Sequence, residues 1–344
     1  MGIVGYTTHR YSIGIPPTVC RGQARWIISR YSDLIRLKPA FSVLLFLGFL
    51  RLAHAVTFDL PAEGDDVVGR IFTLTTRYEE TFSDIARIYD IGYRQMVAAN
   101  PDVDAWLPGE GSEVVIPQQY ILPPGPREGL VINLAELRLY YFPEERPVVV
   151  TYPIGIGREG WSTPTGKTTV IGKKEGPSWT VPESILKEHE EEGDPLPPVI
   201  PPGPDNPLGS HAIYLGMNGY LLHGTNKPYG VGMRVSHGCI RLYPENVTRF
   251  FEEIEIGVPV RIIDKPFKAG WLKGELYVQV HPPLIEYVEE KGHNYTELVD
   301  AVITRLGEDE RRPDWDQLQD FAKQKTGIPM PLYLWKGNSI AGGG

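Results

Sequence analysis

Cysteine is nearly absent from this chain: two in 344 residues, Cys20 and Cys239. A disulfide framework is thereby excluded as the basis of the fold. Long apolar runs are scarce as well. The stretch from residue 40 to residue 50 has eleven residues, and a membrane-crossing helix needs about 20. Arg30, Arg36 and Lys38 precede it and Ala53-His54-Ala55 follows, the order of a secretory signal with a small-x-small cleavage point. Residues 1–55 therefore read as an N-terminal extension and signal peptide, cleaved after Ala55. At the other end, residues 336–344 with their Gly342–Gly344 terminus read as a disordered tail. Cleavage removes Cys20. Cys239 is then a solitary thiol in an oxidising compartment, a liability unless it does chemistry.

Positive charge is also in short supply beyond the signal. The whole chain carries −9, residues 1–55 carry +6, and the remainder therefore carries −15. Such a surface argues against nucleic acid or a polyphosphate as partner. Negative charge, conversely, is missing from one stretch: residues 206–244 contain no Asp or Glu, where an even spread would put between five and six. Either this is one buried stretch, or a site is kept free of negative charge so that a thiolate and an anionic substrate are tolerated.

Pro-rich seams at residues 121–127 and 264–268 divide the chain into residues 66–120, 128–264 and 266–335. In the first part, Ile71-Phe72-Thr73-Leu74-Thr75 alternates as a half-buried strand does. Thr81-Phe82-Ser83-Asp84 is a capping box, after which Phe82, Ile85, Ile88 and Tyr89 fall on one helical face. Residues 93–99 make a second short helix stopped by Asn100-Pro101, and residues 113–117 a closing strand. The second part reads as mainly β: a hairpin at 130–134 and 137–141, strands at 148–154, 168–172, 212–215, 220–223 and 258–263, and one helix at 244–253 with Pro244 in its first turn. The Pro-rich connection at 175–207, with its acidic run at 188–194, reads as a flap over a site. Residues 266–335 form a small α/β appendage of no legible purpose.

Cys239 lies in Ser236-His237-Gly238-Cys239-Ile240-Arg241, sixteen residues after the histidine of His223-Gly224-Thr225. A free thiol gives only a few per cent thiolate at neutral pH, and an imidazole beside it raises that share by forming an ion pair. Gly238 suits a loop whose backbone passes close to substrate, and the Gly238 and Cys239 N–H groups are candidate oxyanion donors; a plain turn glycine would do neither. His237 and Ser236 either meet substrate or brace the loop, and Arg241 either clamps a carboxylate or stiffens the loop. Two other arrangements fit the same letters: a buried inert thiol, or zinc held by His223, His237 and Cys239. The nucleophile reading requires no metal and no cofactor. His189, His211, His281 and His293 have no partners in sequence and read as surface or core residues.

Thr163-Pro164-Thr165-Gly166, Pro204-Asp205-Asn206-Pro207-Leu208-Gly209, His223-Gly224-Thr225-Asn226 and the Ser236–Arg241 motif together resemble the YkuD-type catalytic domain of L,D-transpeptidases. The order of signal, N-terminal unit, catalytic domain and appendage is similar to the ErfK/YbiS/YcfS/YnhG group. Residues 66–120 resemble a LysM module, with Arg77-Tyr78-Glu79-Glu80 in place of its usual Pro-Gly-Asp turn. The resemblance implies a β-sandwich or barrel with one main helix, a βααβ LysM-like module that binds N-acetylglucosamine-containing glycan, and periplasmic location. It implies Cys239 as nucleophile, His223 as proton donor and acceptor, the Gly224 carbonyl orienting the ring, Gly238 shaping the loop, and Ser236, His237, Arg241, Thr225 and Asn226 against substrate. The implied reaction is attack on the L-centre carbonyl of the diamino acid at position three of a peptidoglycan tetrapeptide, release of D-Ala, and transfer to an amine. That amine is the Lys of a murein lipoprotein, or another diamino acid, giving a 3→3 cross-link. Carbapenems would acylate the same thiol, and a periplasmic thiol reductase would keep it reduced. Two other classes stay open: a peptidoglycan-binding structural protein, and an L,D-carboxypeptidase or cross-link hydrolase in which water takes the acyl group.

Overall fold

The computed structural model describes residues 56–336. The expected signal at 1–55 and all but the first residue of the expected tail lie outside them. β1 (Val56–Asp59) is an edge strand of the main sheet. The N-terminal unit follows as β2 (Val67–Thr75), α1 (Phe82–Ile88), α2 (Tyr93–Ala99) and β3 (Glu113–Ile121), with β2 and β3 antiparallel from Val67↔Ile121 to Thr75↔Glu113. The capping box forms: the Asp84 N–H donates to Thr81 Oγ1 at 3.3 Å, and the Thr81 N–H donates to Asp84 Oδ2 at 3.0 Å. Phe82, Ile85, Ile91, Met96, Val114 and Ile116 close a small core. Ile88, expected on the same buried face, is exposed, because α1 ends there and Tyr89 turns edge-on to Phe72.

The main domain runs β4 (Gly129–Asn133), β5 (Arg138–Phe142), β6 (Val148–Pro153), β7 (Ile156–Gly157), β8 (Gly166–Glu175), β9 (Trp179–Thr180), α3 (Glu183–Glu191), β10 (Val199–Ile200), β11 (His211–Leu215), β12 (Leu221–His223), β13 (Arg234–Ser236), β14 (Ile240–Arg241), α4 (Pro244–Glu253) and β15 (Pro259–Ile263). Nine strands form one sheet in the order β1-β6-β5-β4-β15-β8-β11-β12-β14. β4/β15 and β12/β14 are parallel; the other neighbours are antiparallel. The sheet curls around α4. Tyr141 and Tyr152 from one end and Leu222 and Ile240 from the other share a core with Val247 and Phe250. The Phe250 ring sits 5.5 Å from Tyr141 and 5.4 Å from Tyr152, a spacing at which aromatic pairs add to plain burial. This is the mainly β domain with one main helix read from the sequence. The second helix, α3, lies in the stretch read as a loop-like flap.

The opposite sheet face carries Val131, Tyr140, Phe142 and Val149, which pack against Val68, Tyr120 and Leu122 of the N-terminal unit. That unit also reaches α4, where Asn246 Nδ2 donates to Asp90 Oδ1 at 2.7 Å. The appendage is β16 (Phe267–Leu272), β17 (Glu275–Val280), α5 (Ile285–Lys291), α6 (Thr296–Leu306), β18 (Arg312–Pro313), α7 (Trp315–Gln324), β19 (Met330–Leu332) and β20 (Leu334–Trp335). It has its own core around Leu276, Val278, Val302 and Phe321.

Candidate active site

The main sheet ends in the parallel pair β12/β14, with Leu222 opposite Ile240 and His223 opposite Arg241. Side chains alternate across a strand. Leu222 and Ile240 are buried in the core, so Leu221, His223, Cys239 and Arg241 point to the other face. Cys239, immediately before β14, is a diagonal neighbour of His223. Sixteen residues of separation thus become one step across a strand pair.

Gly238 has φ 103°, and a Cβ there would meet Tyr220 Cε1 at 3.0 Å; both favour glycine. Ser236 folds the loop onto itself. Its buried hydroxyl donates to the Cys239 carbonyl at 2.5 Å and accepts the Gly238 N–H at 3.2 Å. One of the two expected oxyanion donors is therefore occupied. The Cys239 N–H is the other, and no hydrogen bond engages it among the described residues. Thr163 Oγ1 donates to the Gly238 carbonyl at 2.7 Å. Because C=O and N–H point opposite ways in a trans peptide, Thr163 aims the Cys239 N–H.

His223 is buried. That burial, aided by the positive charge of Arg241, pushes its pKa down to about 3, against the pull of the Gly224, Leu208 and Pro207 carbonyls. Gly224 is thus one of three carbonyls beside the ring, and Nδ1 itself makes no hydrogen bond. Cys239 is half-buried, with Sγ 3.5 Å from the Gly219 carbonyl. Burial raises its pKa above the usual thiol value, and the Leu221 N–H and Arg241 pull it back only in part. Burial penalises both charges. Both shifts favour a neutral thiol beside a neutral imidazole, where the sequence leads one to expect an ion pair. Arg241 favours the thiolate and opposes an imidazolium. Among the described residues no carboxylate lies within salt-bridge distance of it, and its buried Nε has no partner.

His237 is engaged by the flap. Its Nε2 lies 2.7 Å from Glu188 Oε2 of α3 and 3.2 Å from Arg158 Nη2, and its ring sits edge-on to Trp161 at 4.9 Å. The flap thereby brings a carboxylate, Glu188, to the His237 side of a stretch that lacks its own. Thr225 Oγ1 accepts the Lys227 N–H at 2.9 Å, and Asn226 Nδ2 donates to the Asp205 carbonyl at 3.0 Å; both serve the turn after β12 and its tie to the flap. No three His, Cys, Asp or Glu side chains among the described residues converge on a common point, so the zinc arrangement is not formed.

A family model, YkuD, described as the L,D-transpeptidase catalytic domain, matches residues 127–262. The probable L,D-transpeptidase YbiS of Escherichia coli strain K12 is 40% identical over 306 residues, covering 87% of this chain and 99% of that protein. The chain belongs to the L,D-transpeptidase family. The probable L,D-transpeptidase ErfK/SrfK of the same strain is 44% identical over 248 residues, 70% of this chain and 78% of that one. Among solved structures, the catalytic domain of the E. faecium L,D-transpeptidase acylated by ertapenem is 22% identical with a TM-score of 0.31, covering 40% of this chain and 100% of that one.

Three residues that shape this candidate site carry no individual signal in the sequence. Thr163 stands out there only as part of a motif. Glu188 sits in a run of like charge with nothing to single it out. Asn206, fully buried, staples the flap: Nδ2 donates to the Pro177 carbonyl at 2.8 Å and the Pro201 carbonyl at 3.0 Å, and Oδ1 accepts the Leu208 N–H at 2.9 Å. Its place in Pro204-Asp205-Asn206-Pro207, a turn-forming run in an apolar-poor stretch, was the available signal.

Proposed function

We propose that this L,D-transpeptidase is a cysteine-dependent periplasmic enzyme that takes its acyl group from a peptidoglycan tetrapeptide. The observation that supports this most directly is the common face of Cys239, His223 and Arg241 on the β12/β14 edge. As the Cys239 sulfur attacks the carbonyl of the diamino acid at position three, its proton passes to His223. The oxyanion forms against the Cys239 N–H. Collapse breaks the C–N bond, His223 returns the proton to the departing D-Ala amine, and a thioester remains. An incoming amine gives its proton to His223, attacks the thioester, and frees the thiol. One imidazole serves both halves as base and then acid. Arg241, a half-buried cation with no carboxylate partner among the described residues, suits the terminal carboxylate of the donor stem.

The acceptor is the Lys of a murein lipoprotein, as resemblance to the ErfK/YbiS group suggests, or a second diamino acid. The flap governs whether amine or water reaches the thioester. Exposed Tyr78, Trp106 and Leu107 lie on two loops of the N-terminal unit that hydrogen bonds between Thr76 and Gly111 and between Phe82 and Ala105 hold together. An apolar, aromatic surface of this kind supports the LysM-like reading, in which the unit holds the glycan strand. A solitary half-buried thiol outside the cytoplasm calls for a reductase partner.

Intact-mass spectrometry with imipenem tests the nucleophile. One covalent adduct is expected on the parent protein and none on Cys239→Ala. An unchanged parent mass, or an adduct that survives the substitution, would overturn the proposal. Muropeptide chromatography with and without a lipoprotein-tail peptide then assigns the acceptor.

A further inference from the structure

The reaction above gives residues 266–335 nothing to do. The contacts of one appendage side chain point to a role. Glu286, in the first turn of α5, accepts hydrogen bonds on the same carboxylate oxygen from Ser162 Oγ and Arg234 Nη2. Both residues adjoin segments that hold the catalytic loop. Arg234 opens β13, the strand that leads into Ser236-His237, and its Nε donates to the Gly157 carbonyl at 3.1 Å. Ser162 immediately precedes Thr163. The Thr163 hydroxyl accepts the Gly157 N–H at 3.1 Å and donates to the Gly238 carbonyl at 2.7 Å. β7, which carries Gly157, pairs in parallel with β13.

We propose that Glu286 is a positioning residue for the reaction: from the appendage it clamps Ser162 to Arg234, so that Thr163 fixes the Gly238–Cys239 peptide plane and aims the Cys239 N–H at the oxyanion. The geometry is that of a short relay of fixed groups. Glu286 holds Ser162, the adjacent Thr163 holds the Gly238 carbonyl, and the planar peptide transmits that orientation to the Cys239 amide. Glu286 touches neither the thiol nor His223. Burial pushes its carboxyl up, but Arg234 and Ser162 outweigh burial and hold it below its ordinary value, so the clamp is charged at neutral pH. A misaimed oxyanion donor slows acyl transfer and leaves the thiol itself untouched. The inference rests on the cysteine-dependent reading above, since it concerns the amide beside that thiol.

Two reagents separate the possibilities on the full chain. Imipenem acylation passes through an oxyanion; iodoacetamide alkylation of the same thiol does not. Glu286→Gln is expected to slow imipenem acylation by about tenfold, less than the 10²–10³ of losing a donor outright. Its iodoacetamide rate should stay within about twofold of the parent's, the margin that marks an unaltered thiolate share. Ser162→Ala breaks the same clamp from its other end and should reproduce the selective loss, while Glu286→Asp should recover most of it. Glu297→Gln, which loses the appendage's Lys265–Glu297 pair at 3.2 Å, should leave both rates alone. Parent-like acylation in Glu286→Gln and Ser162→Ala would overturn the inference, as would equal changes with both reagents, the mark of general loosening. Failure of the parent itself to be acylated is a different result: it overturns the cysteine-dependent reading.

Discussion

Burial acts on Cys239 and His223 from opposite sides of the charge scale and keeps both neutral at rest. The proton therefore moves only when a carbonyl arrives to take the sulfur. This sets the pH behaviour of the thiol. With the thiol pKa raised by burial and the imidazole pushed down to about 3, the ring carries no charge anywhere above pH 4 that could hold a thiolate. Iodoacetamide alkylation should climb steadily with pH to beyond 9, without the plateau between pH 4 and 8 that a thiolate–imidazolium pair produces. Arg241 lowers the thiol pKa by its charge, so Arg241→Met should displace the curve to higher pH and Arg241→Lys should restore part of it. A rate flat from pH 5 to 8 in the parent would refute the neutral pair. The residues proposed for the centre of this chemistry have local signals in the sequence: a cysteine beside a histidine, a glycine before it and a histidine at a strand end. Thr163 and Glu286 have none: their importance comes from a carbonyl and a hydroxyl that only the folded chain brings to them.

Among the elements, the flap shows where sequence reading thins out. Helix α4 was legible to its bounds, since Pro244 marks its first turn and Val247 and Phe250 mark its buried face. Helix α3 has only Ile185 buried and no side chain capping its N-terminus, so it offers neither apolar periodicity nor a start signal. Strands β7 and β13, two and three residues long, are too short to alternate visibly. The flap is held by specific polar ties in place of a core. Asn206 closes its base, and Glu188 meets Arg158 and His237 at its tip. Removing the Asn206 amide leaves buried carbonyls unpaired, a local cost of about 1–3 kcal/mol. Asn206→Ala should therefore speed amide exchange across residues 179–200 with little change in the main sheet. It should also raise the share of thioester lost to water over amine, measured as free acid against cross-linked product. Parent-like exchange in the flap would sink this account of what holds it.

Across the whole molecule, one buried cluster joins all three parts of the chain. Lys268, from β16, donates to the Ile121 carbonyl at the end of β3 and to Glu136 in the β4–β5 turn. Asn133 Nδ2 and the Tyr140 hydroxyl donate to Glu136 at 2.6 and 3.0 Å, and His281 Nε2 lies 3.5 Å from it. The N-terminal unit, main domain and appendage thus meet on one ion pair, Lys268 reaching the Ile121 carbonyl and Glu136, partners 132 residues apart that no local pattern pairs. Burial alone would raise the Glu136 carboxyl, but Lys268 and His281 outweigh it and bring it down to about 2. A carboxyl held below its unfolded value of about 4.3 stabilises the fold above that pH, and the contribution is lost as pH falls toward 2. Lys268→Met strips the carboxylate of its main cation, at a cost of about 3–5 kcal/mol. Urea midpoints at pH 7 should fall accordingly, and the acid sensitivity between pH 4.3 and 2 that Glu136 supplies should shrink as its carboxyl loses that support. The double variant Glu136→Gln, Lys268→Met removes both charges, and should regain most of the loss because no unpaired ion stays buried. A parent-like midpoint for Lys268→Met alone, or a double variant weaker than the single, would show that the three parts are held together by their apolar contacts and not through this ion pair.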